Sequence, residues 1–242
     1  MCGRYTLTAP VAEMARLFGF SDRPNLDARF NIAPTQPIAV VRPAAGKGRE
    51  LALVRWGLVP PWADDPAIGS RMINARGESV AEKASFRNAF RKRRCLVPAD
   101  GFYEWRQPSG SDGAKTAKGA KKQPYRIVRR DRQPFAFAGL WEVWHGPKGG
   151  DRIEPPLETA TIITTTANAV LKPLHDRMPV ILDPADYALW LDPDAPAEAA
   201  ESLLRPCPED WLEIYPVSTQ VNSVRNQDES CIAPLTEEPR LI

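Results

Sequence analysis

The sequence predicts an α+β fold: a mainly antiparallel β-sheet or barrel-like core with short flanking helices. Three observations predict it. Runs rich in β-branched and aromatic residues outnumber helical patterns and do not alternate regularly with them. Twenty-five prolines against 15 glycines punctuate the chain with turns and extended stretches, which argues against long helices. No internal repeat and no clear linker divides the 242 residues, so 1–242 reads as one domain.

Element by element, Thr8-Ala9-Pro10 reads as an N-cap followed by a first-turn proline. Val11, Met14, Leu17 and Phe18 recur at helical spacing, and Gly19 stops the helix. Ile38 to Val41 reads as a short strand. Leu51 to Trp56 reads as another, apolar on both faces except for Arg55. The prolines in Gly57-Leu58-Val59-Pro60-Pro61-Trp62 remove ladder donors, so that strand ends there. A short helix follows around Phe86, Ala89 and Phe90, capped by Ser85 and with its arginines outward. Cys95 to Pro98 and Phe102 to Arg106 are expected to pair as a hairpin through Ala99-Asp100-Gly101. The Lys-, Gly-, Ser- and Ala-rich stretch at about 107–123 has no apolar periodicity and reads as a surface loop. Tyr125 to Val128, Pro134 to Trp144 and Thr159 to Thr166 are strands. Asp183-Pro184 opens a helix holding Tyr187, Trp190 and Leu191, Pro196 opens a second ending near Leu204, and Leu212 to Val217 is the last strand.

Composition narrows the class. Hydrophobic residues at 43% and charged residues at 26% are globular values and exclude a disordered or collagen-like chain. No apolar run approaches the ~18 residues of a membrane-spanning helix. The start, Met1-Cys2-Gly3-Arg4-Tyr5, lacks the basic and apolar segments of a secretory signal. A cytoplasmic location is therefore expected, nucleoid-associated in a bacterium, with the cysteines reduced. His145, His175, Cys2, Cys95, Cys207 and Cys231 show no Cys-x-x-Cys or His-x-x-x-His spacing, so no structural zinc and no cofactor are expected. Net charge is +2 but unevenly placed: the segment from Asp183 onward holds 13 acidic and 3 basic residues. The basic excess lies largely in Arg87 to Arg94 and Lys115 to Arg132. Such a half suits a polyanion such as nucleic acid, but charge alone favours solvated loops and helix faces.

Five constellations can carry chemistry. Cys2 follows a removable Met1, and the processed chain would begin with an amine and a thiol on adjacent carbons. Their reference pKa values of ~8 and ~8.5 leave both partly nucleophilic at neutral pH. Such an aminothiol condenses with an aldehyde to an imine that sulfur closes to a thiazolidine. A chance Met-Cys start stands against this. In Gly101-Phe102-Tyr103-Glu104-Trp105, strand alternation puts Phe102 and Glu104 on one face and Tyr103 and Trp105 on the other. A desolvated Glu104 would gain a raised pKa suited to acid–base work; an exposed edge-strand ion-pair partner is the alternative. His175, between a Thr-rich strand and the turn at Pro179, is either functional or structural. Asn74 and Arg76 form a short polar break that could bind phosphate or backbone oxygens, or be a solvated loop. Trp62, on its double-proline loop, could stack on a base or pack beneath the loop. His145 has only loop signals around it and is assigned no role.

These segments together resemble the SRAP family, the SOS-response-associated peptidase-like proteins. The resemblance rests on Met1-Cys2-Gly3-Arg4, Asn31-x-Ala33-Pro34, Arg55-Trp56-Gly57-Leu58-x-Pro60, Asn74-Ala75-Arg76, Cys95 through Trp105, Ile162-Ile163-Thr164 and His175-x-Arg177-Met178-Pro179. Pro216-Val217-Ser218 and Val221-Asn222 also match, in family order over nearly the whole chain. The Lys-rich insert is the departure. The resemblance implies an abasic-site sensor that crosslinks covalently, through Cys2, to the ring-opened sugar in single-stranded DNA, with possible lyase activity and removal of its own Met1. It implies further that Asn74 holds the N-terminal residue and the sugar, Glu104 transfers protons, and His175 assists ring opening. Arg4 and Arg76, with Thr164 beside them, would bind phosphates, while Pro34 and Trp62 would shape a wedge between bases. A monomer is expected, with no membrane partner. Two other classes remain: a thiol peptidase using Cys2, His175 and Asn74, and a non-catalytic module for single-stranded or modified DNA.

Overall fold

In the computed structural model, residues 2–22, 24–44, 46, 48–106 and 122–235 are described. The first third of the chain forms β1 (Tyr5–Leu7), α1 (Val11–Phe18), β2 (Arg29–Ile32), β3 (Pro37–Pro43), β4 (Arg49–Trp56) and β5 (Asn74–Arg76). Then come α2 (Arg87–Lys92), β6 (Arg94–Ala99), β7 (Gly101–Arg106), β8 (Gln123–Arg129), β9 (Phe135–Trp144) and β10 (Leu157–Thr166). The last third forms β11 (Arg177–Pro179), β12 (Ile181–Leu182), α3 (Tyr187–Leu191), α4 (Ala197–Glu201) and β13 (Leu212–Pro216). The expected loop at 107–123 lies outside the described residues except for its end, where Gln123 already belongs to β8.

The long apolar strands close on themselves. β10 pairs with β4, β4 with β3, β3 with β6, β6 with β9, and β9 back with β10. All of these pairings are antiparallel except β4 with β10. Closure removes the sheet edges, and the expected barrel-like core is this five-stranded ring. A second sheet, ordered β13-β8-β7-β1-β2, packs against it. Tyr5 of β1 meets Trp56 and Phe137 edge-on at 5.4 and 5.9 Å, and Phe102 of β7 meets Phe137 at 5.8 Å. These rings are fully buried, and each such contact adds about 0.5–1.5 kcal/mol to the burial of its area. No helix among the described residues is long and apolar enough to cross a membrane.

Four local expectations are corrected. Cys95–Pro98 and Phe102–Arg106 are strands but not a hairpin: β6 belongs to the ring and β7 to the second sheet. The chain changes sheets at Asp100, whose carboxylate accepts from Thr6 Oγ1, from Thr8 N and Oγ1 and from Ala9 N, and pairs with Arg126 at 3.2 Å. Thr8 is thus committed to Asp100, and the N-cap of α1 is Pro10, with no side-chain cap. Likewise Phe86, not Ser85, is the N-cap of α2. Asn74-Ala75-Arg76 is a strand rather than a polar break, because β10 offers it a parallel edge at Ile162, Ile163 and Thr164. Beyond β4 the chain turns at Gly57, whose φ of 124° and a carbonyl 2.5 Å from any added Cβ admit only glycine.

Candidate active site

Three elements of the fold converge on the start of the chain. β1 inserts between β7 and β2, pairing Tyr5 with Phe102, so Cys2 arrives beside the β7 face that carries Phe102 and Glu104. β5 lies along β10 and presents Asn74, whose Nδ2 donates to the Cys2 carbonyl at 2.9 Å. Trp56 fixes the approach to Asn74 by donating from its indole to the Ile73 carbonyl at 2.8 Å. Asn74 Oδ1 is buried and has no hydrogen-bond partner among the described residues. The turn between β10 and β11 brings in His175, whose charge acts on Glu104.

Cys2 is fully buried, with Sγ 4.0 Å from the Arg4 carbonyl. Burial pushes its thiol well above the ordinary range, and the negative charge of Glu104 pushes it further. A thiol near its reference pKa was the expectation; packing at the foot of β1 removes the water that would stabilise the thiolate. Glu104 is 5% exposed on an interior strand, which excludes the exposed edge-strand reading. The alternation holds: Phe102 packs into the main core, while Tyr103 lies in a second cluster with Trp105 packed against it. Burial raises the Glu104 carboxyl above its usual range, and His175 pulls it back. A carboxyl raised in this way keeps its proton to higher pH than a solvated glutamate does.

His175 is partly buried. The Arg177 backbone N–H donates to its Nδ1 at 2.9 Å, and a backbone amide can only donate, so in the neutral ring the proton sits on Nε2. Asp176 Oδ1 also lies 2.9 Å from Nδ1, but its side chain is 86% exposed and acts on the protonated ring alone.

The phosphate-binding candidates separate. Arg4 is half-buried, its Nη1 donating to Asn31 Oδ1 at 2.7 Å and to the Val221 carbonyl at 2.8 Å. Arg76 is exposed at the end of β5. Thr164 is its register partner on β10 but is fully buried, donating to the Ala75 carbonyl at 3.3 Å. Pro34 sits in the turn between β2 and β3, which Trp56 ties to the Asn74 strand: the Trp56 carbonyl accepts from Thr35 N. Trp62 is 49% exposed and lies toward the other end of β10. Its neighbour Ala63 accepts from Trp144 Nε1, and Trp62 lines a pocket with Glu142, the register partner of Thr159, which precedes Ile162, the partner of Asn74, on β10. Arg177 belongs to the motif His175-x-Arg177-Met178-Pro179. It pairs bidentately with Glu78 at 2.5 and 2.9 Å and donates to the Thr164 carbonyl at 2.6 Å, joining the His175 turn to the Arg76 strand. Its place two residues after His175 was the available signal. No group of metal-ligating side chains occurs among the described residues.

A fold with a closed five-stranded ring, and a chain start held by Asn74 beside buried Glu104, now stands beside known proteins. Residues 1–224 match the family SOS response associated peptidase (SRAP), and the chain belongs to that family. Abasic site processing protein YoqW of Bacillus subtilis is 41% identical over 236 residues, covering 96% of this chain and 99% of that one. Abasic site processing protein HMCES of Gallus gallus is 33% identical over 279 residues, covering 97% and 78%. A crystal structure of a protein from Bacteroides thetaiotaomicron superposes with a TM-score of 0.81 at 25% identity, covering 97% of this chain and all of that one.

Proposed function

We propose that this protein processes abasic sites in DNA by capturing the ring-opened sugar covalently through Cys2, in single strands. The observation that carries the reading is the convergence on the first residues of a buried carboxyl with a raised pKa, an amide and a histidine from three separate elements. The family membership and the names of the relatives YoqW and HMCES support the same substrate class.

The geometry supports the following chemistry. Removal of Met1, by the protein itself or by an aminopeptidase, leaves the α-amine on Cys2. Asn74 holds the Cys2 carbonyl, which fixes the direction of that amine. His175, with its ring proton on Nε2, hydrogen-bonds the sugar ring oxygen. As the ring opens to the aldehyde, that oxygen takes up a proton while the anomeric hydroxyl gives one up to Nε2, leaving the imidazole neutral. The amine nitrogen attacks the aldehyde carbon, the carbonyl oxygen leaves as water, and an imine remains. Of the two protons that leave the amine nitrogen, one passes to the carbonyl oxygen on attack; Glu104 supplies the second proton that carries the oxygen away as water and recovers its own from nitrogen. Sulfur then bonds to the imine carbon, its proton passes to nitrogen, and a thiazolidine closes. A thiol held protonated by burial suits this order, because the amine acts first and sulfur second. It does not suit a thiol peptidase, which needs a lowered thiol pKa. Arg4 and Arg76 bind flanking phosphates, Pro34 and Trp62 separate neighbouring bases, and the protein works as a monomer.

The test is incubation with a single-stranded oligonucleotide bearing one abasic site, followed by a denaturing gel. A heat-stable shifted band that an intact oligonucleotide and an uncleavable N-terminal tag both abolish is expected. An undiminished band with the blocked protein overturns the terminal-amine mechanism.

A further inference from the structure

Asn31 is fully buried, and nothing in the chemistry above uses it. Its side chain is nonetheless saturated. Oδ1 accepts from Arg4 Nη1 at 2.7 Å, while Nδ2 donates to the carbonyls of Val221, Ser223 and Asn226 at 3.1, 2.9 and 3.0 Å. The Asn31 carbonyl in turn accepts from Gln227 Nε2 at 2.7 Å. One amide thus gathers the 221–227 segment and hands the collected contact to Arg4.

The guanidinium has two further contacts. The Val221 carbonyl accepts from it at 2.8 Å, and the Trp105 ring centroid lies 5.7 Å from its central carbon. Trp105 is itself pinned, donating from its indole to Asn222 Oδ1 at 2.7 Å. All of these partners are neutral. Among the described residues Arg4 forms no ion pair, and its Nε is buried without a hydrogen bond. A cation fixed by dipoles and a ring keeps its full charge for an incoming anion, whereas a carboxylate partner would cancel it.

We propose that Asn31 is the positioning residue for Arg4, fixing its guanidinium un-neutralised against the 221–227 segment so that it meets a DNA phosphate. The proposal rests on the reading of this protein as a binder of abasic single strands, and it extends that reading to a residue with no contact to the lesion. Asn31 acts through Arg4, and its amide both aims the cation and folds the segment that borders it.

Three readouts test it. In wild-type protein alone, nitrogen-15 NMR should resolve a slowly exchanging Arg4 Nε–H, and an Arg4 signal averaged with those of exposed arginines overturns the proposal. Asn31→Asp is nearly isosteric but places a carboxylate on Arg4. Binding of an undamaged single-stranded oligonucleotide should weaken, and its log–log salt slope should fall by about 0.7, the loss of one phosphate contact. Arg4→Ala should give the same slope, and the double variant should fall no further. An unchanged slope in Asn31→Asp, or additive losses in the double variant, overturns the proposal. If wild-type protein binds no single strand, the functional reading fails, while the NMR readout still decides how Arg4 is held. If Asn31→Asp does not fold, that same signal in the wild-type protein decides alone.

Discussion

Two carboxylates, one just before β7 and one inside it, are both nearly buried, and their surroundings differ in kind. Asp100, just before the strand, is met by five donors: two hydroxyls, two backbone amides and the Arg126 guanidinium. Gly101 beside it has to be glycine, since a Cβ there would lie 2.7 Å from Arg126 Nε and 3.1 Å from Thr6 Oγ1. Glu104, inside the strand, bears a burial penalty that outweighs its interactions, and its proton is held more tightly than in water. The difference separates a carboxylate that holds the molecule together from one whose burial raises its pKa, as the proposed proton-transfer role requires.

The comparison predicts opposite responses to mutation. Asp100→Ala strands two backbone amides and a buried guanidinium, and the expected loss is about 3–5 kcal/mol in urea unfolding. A loss below about 1 kcal/mol breaks the comparison from the structural side. Glu104→Gln keeps size and hydrogen-bonding capacity but cannot exchange the proton. Crosslinking should slow by ~10²–10⁴ fold, with affinity for intact single strands nearly retained.

The same variant sharpens the contrast through pH. The Glu104 carboxyl has its folded pKa raised above that of the unfolded chain. Its contribution to stability is therefore complete at acidic pH and is lost as pH rises through the folded value. Glu104→Gln is exempt, so the stability gap between variant and wild type should widen in the variant's favour above the ordinary carboxylate range, by up to ~1.4 kcal/mol per pH unit. A gap that stays constant from pH 4 to 8 contradicts the raised pKa.

How much of this was legible in the sequence follows from where the determining interactions lie. Strands with their own apolar runs, such as Pro37–Pro43, Phe135–Trp144 and Leu157–Thr166, are readable because burial on both faces leaves a local mark. β1, β5, β11 and β12 have two or three residues each and exist because a longer strand offers an edge. No local pattern encodes that offer, so Asn74–Arg76 read as a loop. Asp100-Gly101 carried a hairpin signal, yet the donors that send the chain to another sheet come from Thr6, Thr8, Ala9 and Arg126. The aromatic neighbours of Glu104 left burial and an exposed ion pair both open, since its strand's place inside the sheet is set by β1 and β8. The suppression of the Cys2 thiol was not readable, because the packing that desolvates it is assembled from distant segments. The placing of Trp62 beside Glu142, before the Asn74 level of β10, is likewise a property of the sheet alone.

The smallest expected effect belongs to Arg76, exposed at the edge of the site. Arg76→Ala should reduce the salt slope of single-strand binding by about 0.7, equally for different sequences. A sequence-dependent loss, or an unchanged slope, removes Arg76 from the phosphate contacts.

The central claim is that nitrogen and sulfur of Cys2 act in succession beside Glu104. It is tested most directly by comparing wild type and Cys2→Ser, both with Met1 removed and verified by mass spectrometry, on a single-stranded abasic oligonucleotide. Serine keeps the amine, so borohydride should trap an imine with either protein. Without reductant the wild-type adduct should survive heating, because sulfur has consumed the imine, while the serine adduct should hydrolyse or proceed to strand cleavage. Equally stable adducts from both proteins without reductant would contradict the account, since the sulfur would then have no part in the bond.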